Sequence, residues 1–335
     1  MHFVPFRGND ASLRLISMKG TASARHHLLQ TLSIHAALFV VTLIYACTFS
    51  FSKFVMPAYL QPSAFITLRI ATAALLFIVT TLLFARGSID YRQDGLKIIL
   101  CAVTGCGANM LLFFNGLNIT TPINGAILMA CTPVFVVILA MFIIRERITG
   151  LRASGIVVAC LGAMLLMGGT RFSFSASHIK GDVMVAVNAI INSFYLVYAK
   201  PLLRKYNPIL FSAWTFSIGF LFVLPFGYSQ LQETNFSVIP GHVWWYILFI
   251  LVGSTFVTYL LNAYALKKAS PTLVGSYIYL QPVLAILIAI LNQTDRLSFE
   301  KIIYMLIIFA GVYLVSLKPK TREEANPENN PETRK

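Results

Sequence analysis

The sequence predicts an all-α membrane protein: ten transmembrane helices arranged as two inverted five-helix repeats. Three observations carry this. Hydrophobic residues make up 57% of the 335 residues and charged residues only 11%, where a soluble domain carries roughly a quarter charged residues. Ten apolar runs recur, each near the length at which a helix crosses a hydrocarbon core. The second half of the chain also matches the first at an offset of 149 residues.

The chain opens on a polar, basic tail, residues 1–32, too charged and too long before its first apolar run to be a cleavable signal. The runs follow at 33–54, 63–84, 96–115, 122–144 and 151–168, then at 182–202, 209–227, 244–265, 271–291 and 299–317. Pro62, Pro122, Gly150, Pro208, Gly241 and Pro271 punctuate their ends. Trp244, Trp245 and Tyr246 suit the interfacial belt. Residues 318–335 are rich in Pro, Glu and Asn and are expected to be a disordered tail. The first repeat therefore covers 33–168 and the second 182–317.

The net charge of +14 does not imply nucleic acid, because the cations sit in short loops. Twenty Lys and Arg fall in the two tails and the even-numbered loops. Only Arg171, Lys180, Arg296 and Lys301 fall in the odd-numbered loops. That bias places both termini in the cytoplasm. Cys47, Cys101, Cys106, Cys131 and Cys160 all lie in apolar runs without metal-ligand spacing. No metal, no cofactor and no disulfide is expected.

Within the repeat, Leu117, Pro122, Pro133, Val134, Ala140 and Arg147 recur as Leu266, Pro271, Pro282, Val283, Ala289 and Arg296. At slightly different offsets, Lys53 and Pro62 match Lys200 and Pro208. Five helices per unit is an odd number, so the second copy is inverted, an arrangement common among carriers whose solute site lies between the halves. Arg145-Glu146-Arg147 is then cytoplasmic and its counterpart Asp295-Arg296 external.

These residues resemble the EamA-type family of the drug/metabolite transporter superfamily over about residues 34–317. The segments NGAILMACTPVFVVILAMFIIRERIT (124–149) and SPTLVGSYIYLQPVLAILIAILNQTDRLS (270–298) carry the resemblance, with YACTFSFSK (45–53) and the Arg of the second run. Tyr45-Ala46 departs from the family's usual Trp-Gly. The resemblance implies ten helices, export or exchange of small metabolites such as amino acids, and a bacterial inner membrane.

Arg69 is the only charge set deep in an apolar run, about 10 Å from the outer end of its helix. A cation in hydrocarbon faces a protein interior or a wet cavity. It either binds a carboxylate on the solute or bonds carbonyls of a broken neighbouring helix. Asn188, Asn192 and Tyr195 share one helix face, and Tyr277 and Gln281 precede Pro282, whose missing N–H frees the carbonyl of Ile278. The candidate cavity residues are Arg69, Asn109, Asn188, Asn192, Tyr195, Trp214, Asn262, Tyr277 and Gln281, with Pro133 and Pro282 as hinges. The same polar groups could instead only bond helix to helix. Gly105, Gly107, Gly253 and Ser254 suit close helix approach. Lys53 and Lys200, at run ends, are expected to snorkel to headgroups, and His35 to sit at the cytoplasmic interface.

The expected function is secondary transport by alternating access, with a small-molecule solute and the bilayer as partners. A homodimer stays open. A sugar-phosphate or nucleotide-sugar carrier of the same superfamily is the alternative, though polyanions call for several cations. An embedded enzyme would need paired acids, His clusters or a metal triad in the spans, and the sequence offers none.

Overall fold

The computed structural model describes residues 10–56, 58–120, 122–166, 178–291 and 298–317, and these are helical rods joined by short turns. The expected C-terminal tail, the first nine residues, Arg171, and the Asp295-Arg296 counterpart lie outside the described residues, as does the side chain of Lys53. The rods are α1 (Asp10–Val55), α2 (Pro62–Phe84), α3 (Tyr91–Ile119), α4 (Pro122–Ala130 and Thr132–Ile143) and α5 (Gly150–Leu166). The second set is α6 (Ile179–Lys205), α7 (Pro208–Glu233), α8 (Gly241–Lys268), α9 (Pro271–Ser276 and Leu280–Leu291) and α10 (Phe299–Ser316). Eight contain a stretch long and apolar enough to cross a membrane; α5 and the Ile127–Ile143 portion of α4 are shorter apolar helices.

Sequence dictates the breaks. Pro62 and Pro208 stand in the first turns of α2 and α7, where a missing N–H costs nothing. Asn207 caps α7 by accepting the Ile209 N–H at 2.9 Å. The two halves of α4 part at Cys131, just before Pro133, and those of α9 part in a 3-10 turn over Tyr277–Tyr279, just before Pro282. Each Pro removes a helical donor and crowds the preceding turn. At the end of α4, Arg145 takes the left-handed conformation (φ 52°) and the Glu146 N–H reaches back to the Ala140 carbonyl at 3.0 Å, closing the helix.

The packing has a hidden twofold. Exchanging each helix for the one five places on maps the contact pattern onto itself: α3 on α6 mirrors α8 on α1, α4 on α6 mirrors α9 on α1, and α2 on α8 mirrors α7 on α3. The pairs α2–α7, α4–α9 and α5–α10 map onto themselves. Small residues permit the self-paired crossings. A methyl added at Gly311 would lie 2.5 Å from the Ala159 nitrogen, and one at Gly227 2.5 Å from the Ser63 carbonyl oxygen. Phe77 and Phe216, with ring centroids 5.3 Å apart, fill the α2–α7 contact.

Buried polar groups fasten both ends of the bundle. At one end, Asp94 of α3 accepts from Lys97 and Lys205 at 2.6 Å each and from the Tyr206 hydroxyl at 2.8 Å. At the other, Asp182 accepts from Thr120 and Asn124. Lys200 corrects the expectation that it snorkels. It is 5% exposed, and its ammonium donates to the carbonyl oxygens of Leu266, Lys267 and Ala269. Those are C-terminal carbonyls of α8 and its following turn, where a cation completes both the hydrogen bonding and the helix dipole.

Two stability predictions follow from these contacts. Gly311→Ala should cost about 1–3 kcal/mol by overpacking in a denaturant titration of the detergent-solubilised protein, while Gly150→Ala, which meets open space, should leave the midpoint unchanged. Equal midpoints for the two variants would refute the close α5–α10 crossing. Lys200→Met keeps the stem but strips three carbonyls of their donor, and should lower stability by about 1–3 kcal/mol; a wild-type midpoint would show that other donors serve those carbonyls.

Candidate functional site

Arg69 projects from α2 between the two repeats and is 3% exposed. Its Nε donates to the Thr255 hydroxyl at 3.0 Å and its Nη2 to the Ser254 hydroxyl at 3.3 Å. Its guanidinium carbon lies 4.9 Å from the Phe114 ring centre and 5.6 Å from that of Phe65. Nη1 has no hydrogen-bond partner among the described residues. Among the described residues no carboxylate pairs with this cation. Its partners are hydroxyls, not the backbone carbonyls of a broken helix.

The two hydroxyls are presented by a local fault in α8. Residues Phe249–Val257 form a widened π-turn, and α3 carries its repeat counterpart over Val103–Gly107. Such turns shift side chains relative to the rest of a helix and recur at functional sites. In α8 the turn sets Ser254 and Thr255 beside Arg69. In α3 it frees the Gly105 carbonyl to accept from the Tyr259 hydroxyl at 2.8 Å. Gly105 lies under the Tyr195 ring and Gly107 under Phe222, so both allow close approach as expected. Gly253 makes only ordinary contacts, and Ser254 bonds Arg69 instead of serving as mere spacing.

Around Arg69 lies a cavity of about 660 Å³ lined by both repeats, a volume typical of small-molecule sites. Of the nine residues singled out from sequence, Arg69, Asn109, Asn188, Asn192, Tyr195, Asn262, Tyr277 and Gln281 stand in its wall. Trp214 does not. It is 37% exposed on α7, with the Tyr91 ring edge-on at 5.0 Å. Pro282 lines the cavity, whereas Pro133 is buried in packing. The Asn188 side-chain nitrogen donates to the Asn109 carbonyl at 2.7 Å, and its oxygen is unpartnered. The sequence reading overlooked Tyr45, Tyr259 and Ser52 in the wall.

The lining runs to one end of the bundle, through Met56 of the α1–α2 connection, Pro62 of α2, Asn118 of α3 and Leu166 of α5. At the other end it stops at Leu38, Leu196, Asn262 and Val274. Beyond that level α1 is tied to α8 and α9. His35 Nδ1 lies 2.5 Å from the Tyr277 hydroxyl, and the Ser33 hydroxyl lies 2.9 Å from that of Tyr264, which also accepts from Lys268 at 3.0 Å. His35 is half-buried at this end, with its ring against the Tyr277 hydroxyl.

Comparison with known proteins agrees with this architecture. The model of the EamA-like transporter family matches twice, over residues 32–168 and 179–317. The chain is 25% identical over 289 residues to the uncharacterized transporter YyaM of Bacillus subtilis, covering 85% of this chain and 94% of that one. It is 27% identical over 231 residues to an uncharacterized transporter of Archaeoglobus fulgidus, covering 68% and 78%. The uncharacterized inner membrane transporter YicL of Salmonella typhimurium is 23% identical over 285 residues, covering 82% and 92%. A protein of known crystal structure superposes with a TM-score of 0.69 at 18% identity, covering 85% of this chain and 96% of that one, a likeness of fold. With both repeats matched and most of the chain covered, the chain belongs to the EamA-like transporter family.

Proposed function

We propose that this multi-pass membrane transporter is a secondary carrier that exports or exchanges small carboxylate-bearing metabolites across the inner membrane by alternating access. The observation that carries the reading is the cavity between the repeats, with one unneutralised cation in its wall. Matches to a transporter family and to transporters, not to enzymes, favour this reading over chemistry on a substrate. The sugar-phosphate alternative is also disfavoured, because Arg69 is the sole cation among the described lining residues and polyanions are bound by several.

The charge bias assigns the open end of the cavity to the outside and the His35–Tyr277 end to the cytoplasm. Passage then requires α1 to part from α8 and α9, breaking the His35–Tyr277 and Ser33–Tyr264 contacts. The interrupted helices α4 and α9, with Pro133 and Pro282 just after their breaks, are the bending elements, because a proline-broken helix lacks the hydrogen bond that would resist flexing.

Two measurements test this. In proteoliposomes, Arg69→Gln should reduce transport of a carboxylate-bearing solute by about 10–100-fold, the worth of a hydrogen bond to a charged group; unchanged kinetics would remove Arg69 from the site. In a cysteine-free background carrying Leu38→Cys, Tyr277→Phe should raise labelling by an impermeant maleimide from the cytoplasmic side about five-fold, since losing one hydrogen bond shifts a two-state equilibrium by about that much. Unaltered labelling would show that this contact does not hold the cytoplasmic end shut.

A further inference from the structure

We infer that the solute is a net monoanion: a monocarboxylate that carries one uncharged O–H or N–H donor and an apolar body, a hydroxy acid in preference to an amino acid. The inference rests on the carrier reading above and gives that site its charge type. Two residues of the cavity wall each hold a buried side-chain atom with no partner among the described residues, and the two atoms are of opposite kind. Arg69 Nη1 is a charged donor in a residue 3% exposed, and Asn188 Oδ1 is a neutral acceptor in a residue 1% exposed. The Asn188 amide cannot be turned to exchange its roles, because its nitrogen is committed to the Asn109 carbonyl, which only accepts. Leaving either atom dry and unpaired is unfavourable, so the site is completed by a ligand or water that accepts at one point and donates at the other.

The two residues also lie at similar depth. Ser63 at the start of α2, Asn115 near the end of α3 and Asp182 at the start of α6 with Thr120 tie the same end of the bundle together. Arg69 lies seven residues from the start of α2 and Asn188 nine from the start of α6, about 10 and 14 Å along their helices. Ser52 adds a hydroxyl to the wall with no partner among the described residues, but a hydroxyl donates or accepts and does not discriminate.

Charge balance separates the acids. Among the described lining residues there is one cation and no carboxylate. A carboxylate on Arg69 brings the site to neutrality. An added ammonium would surrender its hydration with no opposite charge to meet it, which a low-dielectric site penalises heavily. A hydroxyl satisfies Asn188 Oδ1 without that penalty. A second carboxylate would face the same problem in reverse. Phe113, Phe114, Val41 and Ile286 supply the apolar remainder of the wall.

The test is binding of four probes with one phenyl body to the full-length protein in nanodiscs at pH 7: 3-phenyllactate, phenylalanine, phenethylamine and phenylsuccinate. We expect 3-phenyllactate to bind at least about ten-fold more tightly than the other three. Arg69→Gln should abolish its binding, Arg69→Lys should keep part of it, and Asn188→Leu should erase its advantage over 3-phenylpropionate, which lacks the hydroxyl. Size-exclusion profiles and unfolding midpoints matched to wild type exclude misfolding, and Arg69→Lys keeps the test decisive where Arg69→Gln fails to fold. Phenylalanine binding as tightly as 3-phenyllactate, or no binding of 3-phenyllactate, overturns the inference. Uptake into proteoliposomes is scored separately: tight binding without uptake refutes the carrier reading alone, and uptake of phenylalanine in preference to 3-phenyllactate refutes the charge assignment alone.

Discussion

The structure is organised around a buried guanidinium that no carboxylate neutralises among the described residues. A central Arg costs about 2.5–3.5 kcal/mol to insert into a membrane helix. Two charge-assisted hydrogen bonds, from Nε and Nη2 to Thr255 and Ser254, and the faces of Phe114 and Phe65 offset that cost without cancelling the charge. A neutralising Asp would have left a satisfied ion pair and an electrically mute cavity. Hydroxyls and rings leave the charge of a cavity-wall residue uncancelled.

That outcome depends on the repeat. Two repeats related by the twofold of the packing give the cavity matched walls, and each wall contains the same irregularities: a π-turn in α3 and α8, and a break just before a proline in α4 and α9. Divergence between the copies then makes the site. The α8 turn bears Ser254 and Thr255 and receives Arg69; the α3 turn bears Gly105 and Gly107 and receives Tyr195 and Phe222. The ends have diverged as well. One is fastened at Asp182 by Thr120 and Asn124, the other by His35–Tyr277, Ser33–Tyr264 and Lys200 on the α8 carbonyls. A scaffold whose two ends close by different chemistry can favour one side at rest while remaining able to open the other.

Much of this was legible in the sequence, and the limits have physical causes. Periodicity gave the α6 face of Asn188, Asn192 and Tyr195, because side chains four and seven apart on a helix must point the same way. Hydropathy exposed Arg69, since a lone cation in an apolar run is too costly to leave facing lipid and has to turn toward protein or water. Lys200 was misread because a lysine at a helix end looks alike whether headgroups or a neighbour's carbonyls receive it; only the arrival of the α8 terminus decides. Asp94 and Asp182 flank apolar runs and gave no sign of burial at 3% and 4% exposure. Ser254 could not be told from a packing residue, because small size and a hydroxyl serve both roles. Trp214 drew attention as a polar-tipped aromatic, and its helix turns it away from the cavity.

The most direct measurement of the central claim is the distance between the solute's carboxylate and the Arg69 guanidinium in membranes. Rotational-echo double-resonance NMR on protein with 15N-guanidinium arginine and 13C-carboxylate 3-phenyllactate reads it. The account predicts dephasing that corresponds to a separation of about 4 Å, as a hydrogen-bonded Arg–carboxylate pair requires, and its loss in Arg69→Gln. Absence of dephasing at saturating solute, or its persistence in that variant, would contradict the account.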